Sequence, residues 1–106
     1  MPRPVCLLFT ALLCLPLYAD PLPPERQQEL EHLLLQDCAS CHGMPLTGGL
    51  GPALTTAALA GKPRDLLVAT IREGRAGTPM PPWKNLLGEA DIAWLVDRLL
   101  QPDNNP

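Results

Sequence analysis

Cys38-Ala39-Ser40-Cys41-His42 places two cysteines around two small residues, with a histidine directly after the second. That spacing is the covalent attachment pattern of a c-type haem. Each thiol can add across one vinyl group of the porphyrin to form a thioether, and the fixed spacing then brings the His42 imidazole under the iron as an axial ligand. Other uses of a Cys-x-x-Cys pair leave marks that this chain lacks. A structural zinc site takes two further Cys or His ligands at a suitable spacing. The remaining cysteines, Cys6 and Cys14, fall in an apolar leader, and the remaining histidine, His32, stands alone. A thioredoxin-type redox pair needs a βαβ context, and the chain shows no strand pattern of any length. Cys38 and Cys41 are therefore expected to hold one haem c as thioethers, not to pair as a disulfide.

Upstream, Met1 to Ala19 reads as a signal peptide. Arg3 is its one charge, Val5 to Leu17 is almost wholly apolar, and Ala19 offers a small residue at the cut. The apolar run is shorter than the roughly 20 residues of a spanning helix. Leu17 departs from the small side chain that cleavage prefers, and Leu13 is too bulky to make Cys14 a lipidation site. Cleavage after Ala19 leaves Asp20 to Pro106 as a single small domain, exported to the periplasm and expected to be a monomer without stable membrane insertion. Export agrees with the motif, because c-type haem is attached on the outer side of an energy-transducing membrane. Losing Arg3 takes the net charge from −3 to −4. No basic nucleic-acid footprint is present. The acidic residues are scattered as solvated faces are, and the net charge points to a basic docking patch on any protein partner.

Aromatic content supports the cofactor independently. Phe9 and Tyr18 lie in the leader, so the remaining domain has only Trp83 and Trp94. A domain of this size buries only about 60–70% of its unfolded surface and needs help to be stable. A porphyrin supplies the missing large, flat core element.

Breakers and periodicity predict an all-α domain. A first helix is expected from Glu25 to Cys38, opened by Pro24, with Leu30, Leu33, Leu34 and Cys38 on one apolar face. Gly43 to Pro52 reads as loop. Thr55 to Ala60 is expected as a short helix ended by Gly61. A further helix runs from Pro63 to Glu73, with Leu66, Leu67, Ala69, Thr70 and Ile71 as its apolar side and Gly74 closing it. Arg75 to Trp83 is loop. The last helix is expected over Glu89 to Leu100, striped by Ile92, Leu95, Val96, Leu99 and Leu100, with Pro102 barring continuation.

The second axial ligand has two candidates. Met44 follows His42 by two residues and cannot reach the opposite face of the iron. Met80 sits in Gly77-Thr78-Pro79-Met80-Pro81-Pro82-Trp83, where flanking prolines hold the backbone open and restrict it. Methionine is more often a gap-filling core residue. Once a haem is granted, this setting favours ligation.

These pieces, in this order, resemble the class I c-type cytochromes: Cys38 to Gly43, Gly51-Pro52, Pro63 to Gly74, Met80-Pro81-Pro82 and a closing helix. The resemblance implies three main helices, a short helix and loops wrapped around one covalent haem. It implies that the Pro52 carbonyl accepts a hydrogen bond from the proximal imidazole, which raises the donor strength of His42. That family crosses its first and last helices on a glycine and an aromatic, eight and four residues before the first cysteine. This chain has Leu30 and Leu34 there. Arg98 stands near the place of the family's C-terminal aromatic, with Trp94 one turn earlier as the substitute. More narrowly, Gly48 to Leu54 and Gly74 to Trp83 are similar to the NirC-type cytochromes (cytochrome c55X), which are encoded beside cytochrome cd1 nitrite reductase in denitrifying bacteria.

The expected function is one-electron transfer, not enzyme catalysis. Ligation by His42 and Met80 leaves the iron no open site, and the resemblance implies nitrite reductase or its d1-haem maturation as the partner. If Met80 were displaced, the iron could bind small ligands, but no distal His or Arg is placed to assist peroxide chemistry. Lys62, Arg64, Arg75 and Trp83 are candidate partners for the haem propionates, with Trp83 first because its ring can pack on the porphyrin while its N–H donates.

Overall fold

Pro24 occupies the first turn of a helix, where its missing N–H costs nothing, and Glu25 complements the positive end of the helix dipole. The result in the computed structural model, which describes residues 1–4 and 21–102, is α1 over Pro24–Leu33. The signal peptide expected over Met1 to Ala19 lies, from residue 5 onward, outside the described residues. After Leu33 the helix widens instead of ending. Leu34–Cys38 form one π-helical turn, in which the Ala39 N–H donates to the Leu34 carbonyl five residues back. α2 (Ala39–His42) then completes the rod, and Gly43, at φ +88°, stops it. The first helical stretch is therefore longer than Glu25 to Cys38 and contains a wide turn that apolar spacing does not register.

The remaining helices follow the breakers. Thr55 caps α3 (Thr56–Leu59), its Oγ1 accepting from the Ala58 N–H at 3.2 Å. α4 (Arg64–Glu73) starts after Pro63 and ends at Gly74. α5 (Glu89–Leu100) matches its expected limits, and Asp91 caps it by accepting from the Gly88 N–H at 3.0 Å. Every regular element among the described residues is a helix, and no described helix is long and apolar enough to cross a membrane.

α1 packs against α5 through leucines. Leu30 and Leu34, in the places of the family's glycine and aromatic, are buried against Ile92, Leu95, Val96 and Leu99. Trp94 packs half-buried at the edge of this cluster, as expected of the substitute aromatic. Arg98, where the family has an aromatic, donates instead to Glu31 from Nε at 3.0 Å and Nη2 at 2.8 Å. Arg26 does the same to Asp91, at 3.0 and 2.7 Å. Two forked arginine–carboxylate pairs thus flank the leucine and Trp94 packing at the crossing, in the geometry in which such pairs are strongest.

α4 departs from its expected apolar side. Val68, absent from the expected stripe, is the residue of α4 buried in the core. Leu66, Leu67, Thr70 and Ile71 instead line a cavity between α4, α2 and the loops.

Candidate haem-binding site

His42 is the last residue of α2, and the chain turns back beneath it. The Gly48 N–H donates to the His42 carbonyl at 2.8 Å, and the Gly51 N–H to the Cys41 carbonyl at 2.8 Å. Leu46, buried at positive φ (71°), anchors this loop in the core. The fold-back delivers the Pro52 carbonyl to 2.7 Å from His42 Nδ1. An amide oxygen can only accept, so Nδ1 carries the proton and Nε2 keeps its lone pair for a metal. The ring lies flat on Gly51: a Cβ there would stand 2.8 Å from both Nδ1 and Cε1. Only glycine permits that approach.

Met80 has a corresponding seat on α4. The Arg75 N–H donates to the Met80 carbonyl at 3.2 Å, and the Trp83 and Lys84 N–H groups donate to the Ile71 and Arg72 carbonyls at 3.0 and 3.3 Å. The loop thus closes on itself through Arg75 and is pinned by Trp83 and Lys84 to the C-terminal turn of α4. Gly74 lies directly under it: a Cβ there would meet the Pro81 carbonyl carbon at 2.6 Å and the Met80 oxygen at 2.7 Å. Met80 lines the cavity, whereas Met44 is 62% exposed and takes no part in it.

The cavity has a volume of about 750 Å³, inside the ~300–1,000 Å³ range of small-molecule sites. Its wall includes Cys38, Cys41, His42, Pro52, Met80 and Trp83, so every expected site residue reaches it. Cys38 and Cys41 are unpaired thiols. Burial, and secondarily the neighbouring Asp37, pushes the Cys38 thiol up to about 11, the mark of a sulfur facing an apolar space. Leu50 and Leu66 are 79% and 54% exposed yet line this cavity. Large apolar surface left uncovered inside a fold is the surface a flat apolar cofactor would cover. The donor set, two thiols, an imidazole with a free Nε2 and a thioether, fits a haem c. Of the expected propionate partners, Lys62, Arg75 and Trp83 line the cavity. Arg64 does not, because Asp97 holds its guanidinium at 2.7 and 3.0 Å.

Sequence reasoning missed the two glycine seats as functional positions. Their signal was present in Gly51 before Pro52 and in Gly74 before the methionine loop, but what each glycine faces is a tertiary fact.

Residues 25–97 match the family model described as cytochrome C oxidase, cbb3-type, subunit III. The chain is 62% identical over 93 residues to cytochrome c55X of Pseudomonas aeruginosa, covering 87% of this chain and 78% of that one. Among solved structures it is similar to the c-type cytochrome NirC, with a TM-score of 0.77 and 61% identity over 80% of this chain and 100% of that one. It is also similar to dihydro-heme d1 dehydrogenase NirN in complex with DHE, with a TM-score of 0.63 and 34% identity over 67% of this chain and 15% of that one.

Proposed function

The chain belongs to the cytochrome c55X family of c-type cytochromes, electron-transfer proteins with covalently bound haem c, and from that premise we propose that it is a periplasmic one-electron carrier with His42 and Met80 as axial ligands. One observation carries the reading: His42 and Met80, each seated on a glycine, line the same apolar cavity as two unpaired cysteines.

Haem c supplies a ferric/ferrous couple. Cys38 and Cys41 would fix it to the rod that ends in His42. The Pro52 carbonyl holds the Nδ1 proton, which orients the ring and strengthens Nε2 as a donor. The Met80 thioether would favour the ferrous state and raise the potential relative to a second imidazole. Leu34, Leu67, Ile71 and Leu95 exclude water, which acts in the same direction. Trp83 closes the wall beside the methionine loop. His42 and Met80 together would hold the iron and would leave a small ligand no open site.

The ligand test is spectroscopic. The oxidised protein should show the weak sulfur–ferric band near the red edge, and the reduced protein should bind carbon monoxide poorly at neutral pH. Met80→Ala should abolish the band, lower the potential and admit carbon monoxide, while Met44→Leu changes none of these. Rapid carbon monoxide binding by the unmutated protein, without the band, would refute His42/Met80 ligation.

Residues 1–19 are read as the signal peptide and 20–106 as the single cytochrome domain, so N-terminal sequencing of the exported protein should begin at Asp20. Cytochrome cd1 nitrite reductase is the proposed electron acceptor, tested by stopped-flow reoxidation of the reduced cytochrome. The likeness to NirN favours a second reading, in which the electron serves d1-haem maturation. Reduction of the oxidised cytochrome by a dihydro-haem d1 dehydrogenase and its substrate, with no reoxidation of the reduced cytochrome by nitrite reductase, would select it.

A further inference from the structure

Between residues 21 and 102 the chain has seven cationic side chains, and five of them are held by its own carboxylates: Arg26, Arg64, Arg72, Lys84 and Arg98. Among the described residues Lys62 and Arg75 have no acidic partner, and both line the haem cavity. They stand at opposite ends of α4, whose 10 residues span about 15 Å.

The ion pairs fix which end is which. Arg26–Asp91 and Glu31–Arg98 make α1 run parallel to α5. The attachment motif that follows α1 therefore lies toward the C-terminal end of α5. Arg64–Asp97 and Arg72–Glu89 make α4 antiparallel to α5. Lys62 is thus at the thioether end of the cavity, and Arg75 is at the far end. On a porphyrin the vinyl-bearing edge, which the cysteines capture, lies opposite the edge that bears the two propionates. Carboxylates placed against an apolar wall cost free energy unless they are paired.

We propose that Arg75 is the cation that binds a haem propionate and so ties the anionic edge of the cofactor to the Met80 loop, whereas Lys62 does not. The inference rests on the haem reading of the cavity. Arg75 is suited to the role twice over. Its planar guanidinium can grip a carboxylate at two points. Its backbone is already built into the ligand loop, the N–H donating to the Met80 carbonyl and the carbonyl accepting from the N–H and hydroxyl of Thr78.

The test uses the haem-loaded protein and the Arg75→Gln, Arg75→Lys and Lys62→Gln variants, all at exposed positions. Arg75→Gln should shift the propionate bending band in the resonance Raman spectrum. It should also favour the ferric state about tenfold, a drop of about 59 mV for a one-electron couple. Arg75→Lys should recover part of both changes. Lys62→Gln should leave the band where it is. An unmoved band in Arg75→Gln, or an equal shift in Lys62→Gln, overturns the assignment. The red-edge sulfur band recorded on the same unmutated sample reports axial ligation separately, so failure of one reading is distinguishable from failure of the other.

Discussion

On the proposed His42/Met80 ligation, replacing Gly74 with alanine should release Met80 from the iron. Two effects combine. Gly74 adopts φ 67° and ψ −168°, a region essentially reserved for glycine, where another residue costs roughly 1–3 kcal/mol. The added Cβ also meets backbone at 2.6–2.7 Å, against 3.4 Å for ordinary contact, so the Met80-Pro81-Pro82 segment must retreat by roughly 0.7 Å. No rotamer relieves this, because all three nearest atoms belong to the main chain. Metal–ligand distances tolerate only about 0.2 Å, so the sulfur cannot both follow its loop and keep its bond. Gly77→Ala is the matched control: φ is +75°, but nothing lies within 4 Å of its added Cβ. Both variants should lose stability in guanidinium titrations, Gly74→Ala by more. Gly74→Ala alone should lose the sulfur–ferric band and bind carbon monoxide. If it keeps the band and melts with Gly77→Ala, the seat is not what holds the ligand.

Other perturbations probe the helix crossing and the surface. A double-mutant cycle on Arg98→Ala and Glu31→Ala should give a coupling of about 1 kcal/mol, modest because both side chains keep some solvent contact, at 17% and 33% exposure. Hydrogen bonding from Arg26 holds the Asp91 carboxyl below its ordinary value, as Arg72 does for Glu89 and Arg64 for Asp97. A depressed carboxyl contributes stability that is complete above the unfolded value of about 4 and is lost as pH falls through the lower folded value. Acid melts should therefore drop below about pH 4, and Asp91→Asn should flatten that limb. Association with the physiological partner should slow as salt rises, since screening limits the field to about 8 Å at physiological ionic strength; a rate independent of salt would mean apolar docking.

Much of this was legible because breakers and spacing are local. Pro24, Gly43, Pro63, Gly74 and Pro102 mark helix limits by their own backbone chemistry, and the attachment motif encodes its function in five residues. α4 shows where that legibility ends. Its apolar side serves two neighbours: Val68 faces the core, while Leu66, Leu67, Thr70 and Ile71 face the cofactor cavity. Periodicity reports apolar character without saying which neighbour takes it. Leu46 is buried from within a glycine-rich loop where no period exists to reveal it. The arginine forks at the crossing join residues 65 and 67 positions apart, and nothing local to Arg26 or Arg98 announces them.

The wide turn at Leu34–Cys38 sets the register between the first helix and the cysteines. A π turn is an α-helix that has accommodated one extra residue. Deleting one residue between Leu34 and Cys38 would let the ordinary pitch return, and the lost residue and the lost widening would cancel, leaving both cysteines and His42 facing the cavity. Deleting one residue between Leu30 and Leu33, where no wide turn absorbs it, would instead rotate everything downstream by about 100° while Leu30 still gripped α5. Relatives without the wide turn should accordingly be one residue shorter there, and other differences in length should fall in the exposed connections, such as that around Gly61, where an added side chain meets nothing within 4 Å.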